Sequence, residues 1–401
     1  MAELLKICIV FFVTLAMTFK RVALWISLLT ATFLLGFLFR LPVKSILTDV
    51  VTAALDLKTL FLVGALFLIL FFSNLLKETG RMNEILLGFR SVFKDVRVVI
   101  AMLPAMIGLM PIMGGALVSA PMVVEGSDEL GFSRERRTFV NCWFRHLWEY
   151  ILPTYPAFLV ATTLVGVPVR TFAGLNFPLT VAALLSGVFV GFWKIPRPEK
   201  GGKTSLVQPR WRLIKNLFPL VFALTLTIAF KVELLYAFGL TVLGIILLYR
   251  IDGPKIWNAF IGSASPGLLL TVVIIMGFKK VLESSQAIPG ISTFLTSSGI
   301  PLWLIAVLIP LFIGIITGTT IGAMGIGFPI LVPLLQSDPH FLQYMSLAFA
   351  SGVSGDLLSP FHLCLVLTKD YFKADLIGVY RLVWVPVASV IGMGLLVILF
   401  C

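Results

Sequence analysis

Apolar segments follow one another along almost the whole chain, and that succession is the strongest constraint on its fold. Of 401 residues, 59% are hydrophobic and 12% charged, and mean hydropathy is +1.05. A soluble domain does not carry that balance, so the chain is expected to be a polytopic all-α membrane protein with the lipid bilayer as its main partner. The longest polar stretch, residues 195–215, leaves no room for an extramembrane domain. The N-terminus lacks a cleavable-signal pattern. Ten spans are expected, at 4–18, 22–39, 58–77, 134–168, 172–194, 216–231, 234–250, 264–283, 341–370 and 376–400. Residues 43–56, 81–95 and 286–298 read as short interfacial pieces.

The second half of the chain repeats the first. Leu103-Pro104 and Ile107-Gly108 lead to Glu149 and Pro153; Ile309-Pro310 and Ile313-Gly314 lead to Asp356 and Pro360. Upstream, the run from Phe11 to Lys20 resembles that from Phe222 to Lys231, and Phe39-Arg40 pairs with Tyr249-Arg250. This ordered series predicts an inverted repeat of 5+5 transmembrane helices. The first repeat covers 1–194: scaffold spans in 1–80, an interfacial helix at 81–95, a re-entrant hairpin at 97–125, a broken helix at 134–168 and a span at 172–194. A cytoplasmic basic linker, 195–215, joins it to the second repeat, 216–401. That repeat has scaffold spans in 216–283, an interfacial segment at 286–298, a hairpin at 300–335, a broken helix at 341–370 and a span at 376–400.

The hairpins follow from two arguments. The uncharged segment 98–124 holds Pro104, Gly108, Pro111, Gly114, Gly115 and Pro121; its counterpart holds Pro310, Gly314, Gly318, Gly322, Gly325, Gly327 and Pro329. Such a density disfavours a continuous helix. If both segments return to their own side, most Lys and Arg gather on one face of the membrane; if both cross, the two faces are nearly even. The positive-inside rule therefore favours hairpins, with both termini outside the cytoplasmic (inner) membrane. The net charge of +12 is read as this loop bias and not as a nucleic-acid surface.

Glu149 and Asp356 each sit four residues before a proline, at equivalent repeat positions. Acids inside a membrane segment are costly and mark function. They are the expected ion-coupling residues, with Asn141, His146 and Ser354, and carbonyls freed near Glu149/Pro153 and Asp356/Pro360 could hold Na⁺. Otherwise the acids cap or salt-bridge at a membrane edge. Asn141, Arg145 and Glu149 fall at i, i+4 and i+8, one face of a continuous helix. Arg145 is the candidate clamp for an anionic substrate; its alternatives are snorkelling or an ion pair with Glu149 or Asp356. Gly352 occupies the equivalent position in the second repeat. His146 is either a structural hydrogen-bonder or a proton handler. Gly114, Gly115, Ser119, Thr317, Thr319, Thr320, Ser359 and His362 complete the expected substrate contacts, against the alternative of helix packing. No cofactor is expected beyond Na⁺ as coupling ion. The spacing of Cys8, Cys142, Cys364 and Cys401 suggests neither a disulfide framework nor a zinc site.

Two inverted units, each with a re-entrant hairpin and a broken helix, resemble the ion transporter superfamily, in particular the divalent anion/sodium symporters. The resemblance covers nearly the whole chain in topology. At the hairpin tips Met113-Gly-Gly115 and Gly318-Thr-Thr320 stand where those symporters carry Ser-Asn-Thr. The run Gly114-Gly-Ala-Leu-Val-Ser-Ala-Pro121 and the run from Leu358 to Thr368 are similar to an uncharacterised prokaryotic integral-membrane family within that superfamily. The resemblance implies a homodimeric scaffold and an elevator-like transport domain. The expected function is therefore secondary active transport of a small, carboxylate-like organic anion coupled to Na⁺ or H⁺. A cation/proton antiporter using Glu149 and Asp356 is the alternative, and a lipid-phosphate translocase is less favoured. The chain lacks the His-Glu-x-x-His and Gly-x-Ser-x-Gly motifs, so it is not expected to be an enzyme.

Overall fold

The computed structural model describes residues 2–92, 95–109, 115–128, 130–195, 210–287 and 299–400. Among these the chain is helical throughout, without strands. The first half contains α1 (Ala2–Phe19), α2 (Leu24–Leu38), α3 (Val43–Leu55), α4 (Leu57–Glu78), α5 (Arg81–Val92), α6 (Val96–Gly108), α7 (Gly115–Ser127), α8 (Arg134–Arg145), α9 (Pro156–Val165) and α10 (Val169–Phe192). The second half contains α11 (Arg210–Ile228), α12 (Leu234–Tyr249), α13 (Gly253–Ser263), α14 (Pro266–Ser284), α15 (Leu302–Thr317), α16 (Thr320–Leu335), α17 (Phe341–Leu357), α18 (Leu363–Phe372) and α19 (Leu376–Phe400). Most of the linker, residues 196–209, and residues 288–298 of the interfacial segment lie outside the described residues.

Four helices are long and apolar enough to cross a membrane alone: Leu57–Glu78, Val169–Phe192, Trp211–Ile228 and Leu376–Phe400. The bent pair Gly253–Ser263 and Pro266–Ser284, at 45°, makes a fifth. The other apolar helices have 10–17 residues, shorter than the ~20 residues needed to span alone. Phe12, Phe37, Phe230, Leu248 and Phe400 are among the large side chains left exposed, as expected where the solvent is lipid. The chain is a multi-pass membrane protein.

Packing between the halves is reciprocal. Helix α4 packs on α12 and α13, while α14 packs on α2 and α3. In the same way α16 packs on α9 and α7 on α18, and α10 lies along α19. Two polar ties cross the interface of the first group. Asn74 Nδ2 donates to Ser263 Oγ at 2.9 Å, and Asn216 joins Arg81 (2.6 Å) to Glu84 (2.7 Å).

The other group carries the breaks. Helices α6 and α7 pack on one another, as do α15 and α16. The second pair turns over Gly318, whose φ of +63° suits glycine, and Thr319, whose hydroxyl caps α16 by accepting from Gly322 N at 3.2 Å. Residues 110–114, between α6 and α7, lie outside the described residues.

One expectation is corrected here. Asn141, Arg145 and Glu149 do not share one helix, because α8 ends at Arg145, well before Pro153. The Arg145 carbonyl accepts from the Tyr155 hydroxyl at 3.1 Å, and a one-turn 3₁₀ helix, Leu147–Tyr150, follows. Glu149 therefore lies inside the break. Asp356 differs, sitting in the last turn of α17, just before the break at Leu358–His362.

Candidate functional site

The two breaks meet. Glu149 Oε2 lies 2.9 Å from His146 Nδ1, and His146 Nε2 lies 3.1 Å from His362 Nε2. His362 Nδ1 lies 2.5 Å from Asp356 Oδ1, and Asp356 Oδ2 accepts from Thr320 N (3.2 Å) and Thr320 Oγ1 (3.0 Å). The result is one hydrogen-bonded chain, acid–imidazole–imidazole–acid, from the 3₁₀ turn of the first break to the N-terminus of α16. All five residues are buried. Hydrogen bonds satisfy the acids, as burial demands.

Local structure positions each member. Tyr155 Oη also donates to Gly108 O at 2.5 Å, fixing the first break against α6. Trp148 Nε1 donates to Ala105 O at 2.9 Å. Asn176 on α10 spans both breaking helices, since its Nδ2 donates to Tyr150 O at 3.0 Å and its Oδ1 accepts from Ser346 Oγ of α17 at 2.6 Å. Replacing Asn176 by Leu strands two buried groups. We expect it to cost about 1–3 kcal/mol, read as a lowered melting midpoint of the purified protein. An unchanged midpoint would show that these bonds do not hold the breaks together.

The other expected site residues divide. Arg145 is 7% exposed, and its guanidinium lies so close to Gly115 that a Cβ there would collide with Nη1. Asn141 Nδ2 donates to Ala116 O (3.0 Å) and Thr368 Oγ1 (3.1 Å), joining α8 to α7 and α18. Ser354 is buried in α17 and faces Tyr150. Ser359 Oγ donates to Ile315 O at 2.6 Å, and Ser119 Oγ reaches carbonyls of its own helix. Thr317 Oγ1 donates to Thr319 O at 3.2 Å. These hydroxyls serve local structure. Gly114 lies outside the described residues.

The fold also brings together residues whose spacing was read as non-metal. The ligand atoms of Cys142, His146 and His362 lie within 4.8 Å of one another. The Cys364 thiol faces both imidazoles. The signal was present as Cys-x-x-x-His at the end of α8 and His-x-Cys at the end of the second break, but only the crossing of the halves makes it a cluster.

Over residues 2–401 the sequence matches the family described as "Protein of unknown function (DUF401)". The chain belongs to the DUF401 family. No curated protein matches the sequence. Among solved structures, the DUF401 chain is similar to the YdaH transporter of Alcanivorax borkumensis, described as having an unusual topology. The TM-score is 0.59 at 14% identity, over 89% of this chain and 88% of that one. At that identity the likeness is one of fold.

Proposed function

We propose that the protein is a secondary active transporter of a small organic anion, coupled to Na⁺ or H⁺. The observation that supports this best is the meeting of the two breaks in a buried polar chain, within a membrane fold like that of a transporter. The recurring element order and reciprocal packing favour an inverted 5+5 repeat of the ion transporter superfamily. In this reading the protein is a homodimer in the inner membrane with both termini outside. The group carrying the breaks moves as an elevator against the scaffold helices α1–α4 and α11–α14. Glu149 and Asp356 serve ion coupling, and Arg145 faces the substrate beside the tip of the first hairpin.

A cleft of about 570 Å³ separates α4 and α14 from the ends of α9 and α16, with Lys58, Lys279 and Lys280 in its lining beside Asp56 and Glu283. It lies between the proposed scaffold and the moving group, and its three lysines outnumber its two carboxylates, a balance that favours an anion's approach. A panel of anions, each with and without Na⁺, should reveal the substrate as the one that raises the melting midpoint. In proteoliposomes, Arg145→Gln should then weaken uptake about 10- to 100-fold, the loss of one charge-assisted hydrogen bond. Unchanged anion affinity in that variant would shift the reading to a cation/proton antiporter.

A further inference from the structure

We infer that Cys142, His146, His362 and Cys364 form a binding site for a thiophilic transition-metal ion of the Zn²⁺ class, with Glu149 and Asp356 as its outer carboxylates. The argument begins with the hydrogen bonds. A carboxylate only accepts, so Glu149 and Asp356 place the proton of each ring on Nδ1. Each neutral imidazole then presents a lone pair at Nε2. Those two Nε2 atoms face each other at 3.1 Å; either an added proton on one ring or a metal ion between the two must occupy that contact. Tetrahedral zinc, with Zn–N about 2.0–2.1 Å, sets two ligating nitrogens about 3.3 Å apart. The observed separation is close to that distance.

The remaining donors agree. Cys142 Sγ lies within 4.8 Å of a ring nitrogen of each histidine, and Cys364 faces both rings. Two sulfurs and two imidazoles make a soft set that selects zinc over magnesium or calcium. Two thiolates would balance the charge of a divalent ion in a buried site. The outer carboxylates reproduce the acid–histidine–metal pattern that orients ligating rings. His146 follows the end of α8, four residues after Cys142, and His362 is two residues from Cys364, so each break supplies one pair. An ion bound here would tie the two breaks together. The site does not depend on the transport reading, because it is tested by binding alone.

The test uses full-length protein, stripped with a chelator in detergent and titrated with Zn²⁺ or with Co²⁺ as a spectroscopic probe. We expect one ion per chain. With Co²⁺, the intense visible bands of a tetrahedral ion should appear together with a near-ultraviolet thiolate charge-transfer band. Cys142→Ser combined with Cys364→Ser should remove the charge-transfer band, whereas Cys8→Ser should leave it. Asp356→Asn should weaken Zn²⁺ about 10- to 100-fold. Wild-type protein that takes up no stoichiometric ion would overturn the site even if the variants fail to fold. So would weak octahedral Co²⁺ spectra, or bands that persist in the double cysteine variant.

Discussion

Gly314→Val should leave no monodisperse protein to purify. A Cβ at Gly314 would lie 2.6 Å from the Gly352 carbonyl oxygen and 2.8 Å from Asp356 N. On the facing helix, a Cβ at Gly355 would collide with the Leu311 carbonyl. The obstructing atoms are backbone, so no rotamer change relieves the contact and α15 must part from α17. Overpacking of this kind costs about 3 kcal/mol or more, and it would carry Asp356 away from Thr320. Gly392→Ala on α19 is the control, since nothing lies within 4 Å of its Cβ position. Fluorescence-detected size exclusion reads both. A Gly314→Val peak matching wild type, with the same melting midpoint, would show that the two helices are not so closely crossed.

Asp356→Ala should abolish transport and destabilise the protein by about 1–3 kcal/mol or more, the cost of leaving buried donors without their acceptor. Three donors lose their acceptor at once: His362 Nδ1, Thr320 N and Thr320 Oγ1. Asp356→Asn keeps the shape and one acceptor oxygen, so it should fold better while losing the ion dependence of uptake. Thermal unfolding and proteoliposome flux separate the two effects. Wild-type ion dependence in a folded Asp356→Asn protein would remove the acid from the coupling role.

The helical segments were largely legible because lipid forces apolar runs into helices, and the glycines and prolines marked where those helices turn. Glu149 and Asp356 could be paired from sequence because each stands four residues before a proline. The stripe through Asn141, Arg145 and Glu149 failed for a tertiary reason: Tyr155 and Gly108 close off the carbonyl end of α8. His146 and His362 could each be seen, but not their contact. It joins residues 216 apart in sequence, and no local pattern encodes a crossing of two breaks. The nearness of Cys142 to both histidines was hidden for the same reason, since each half supplies only part of that group.

The reciprocal packing of α4 on α12 and α13, and of α14 on α2 and α3, also bears on how the chain is made. Each half keeps the mating surfaces for the other, so the first cannot complete its interior until the second is made. The ribosome adds roughly 200 residues at about 5–20 per second, which leaves the first half waiting on the order of ten to forty seconds. During that interval α4 and the first break stand in lipid without their partners, with Glu149 and His146 ahead of His362. Until the second half arrives, His146 and Asn141 lack the partners that half supplies in the finished fold.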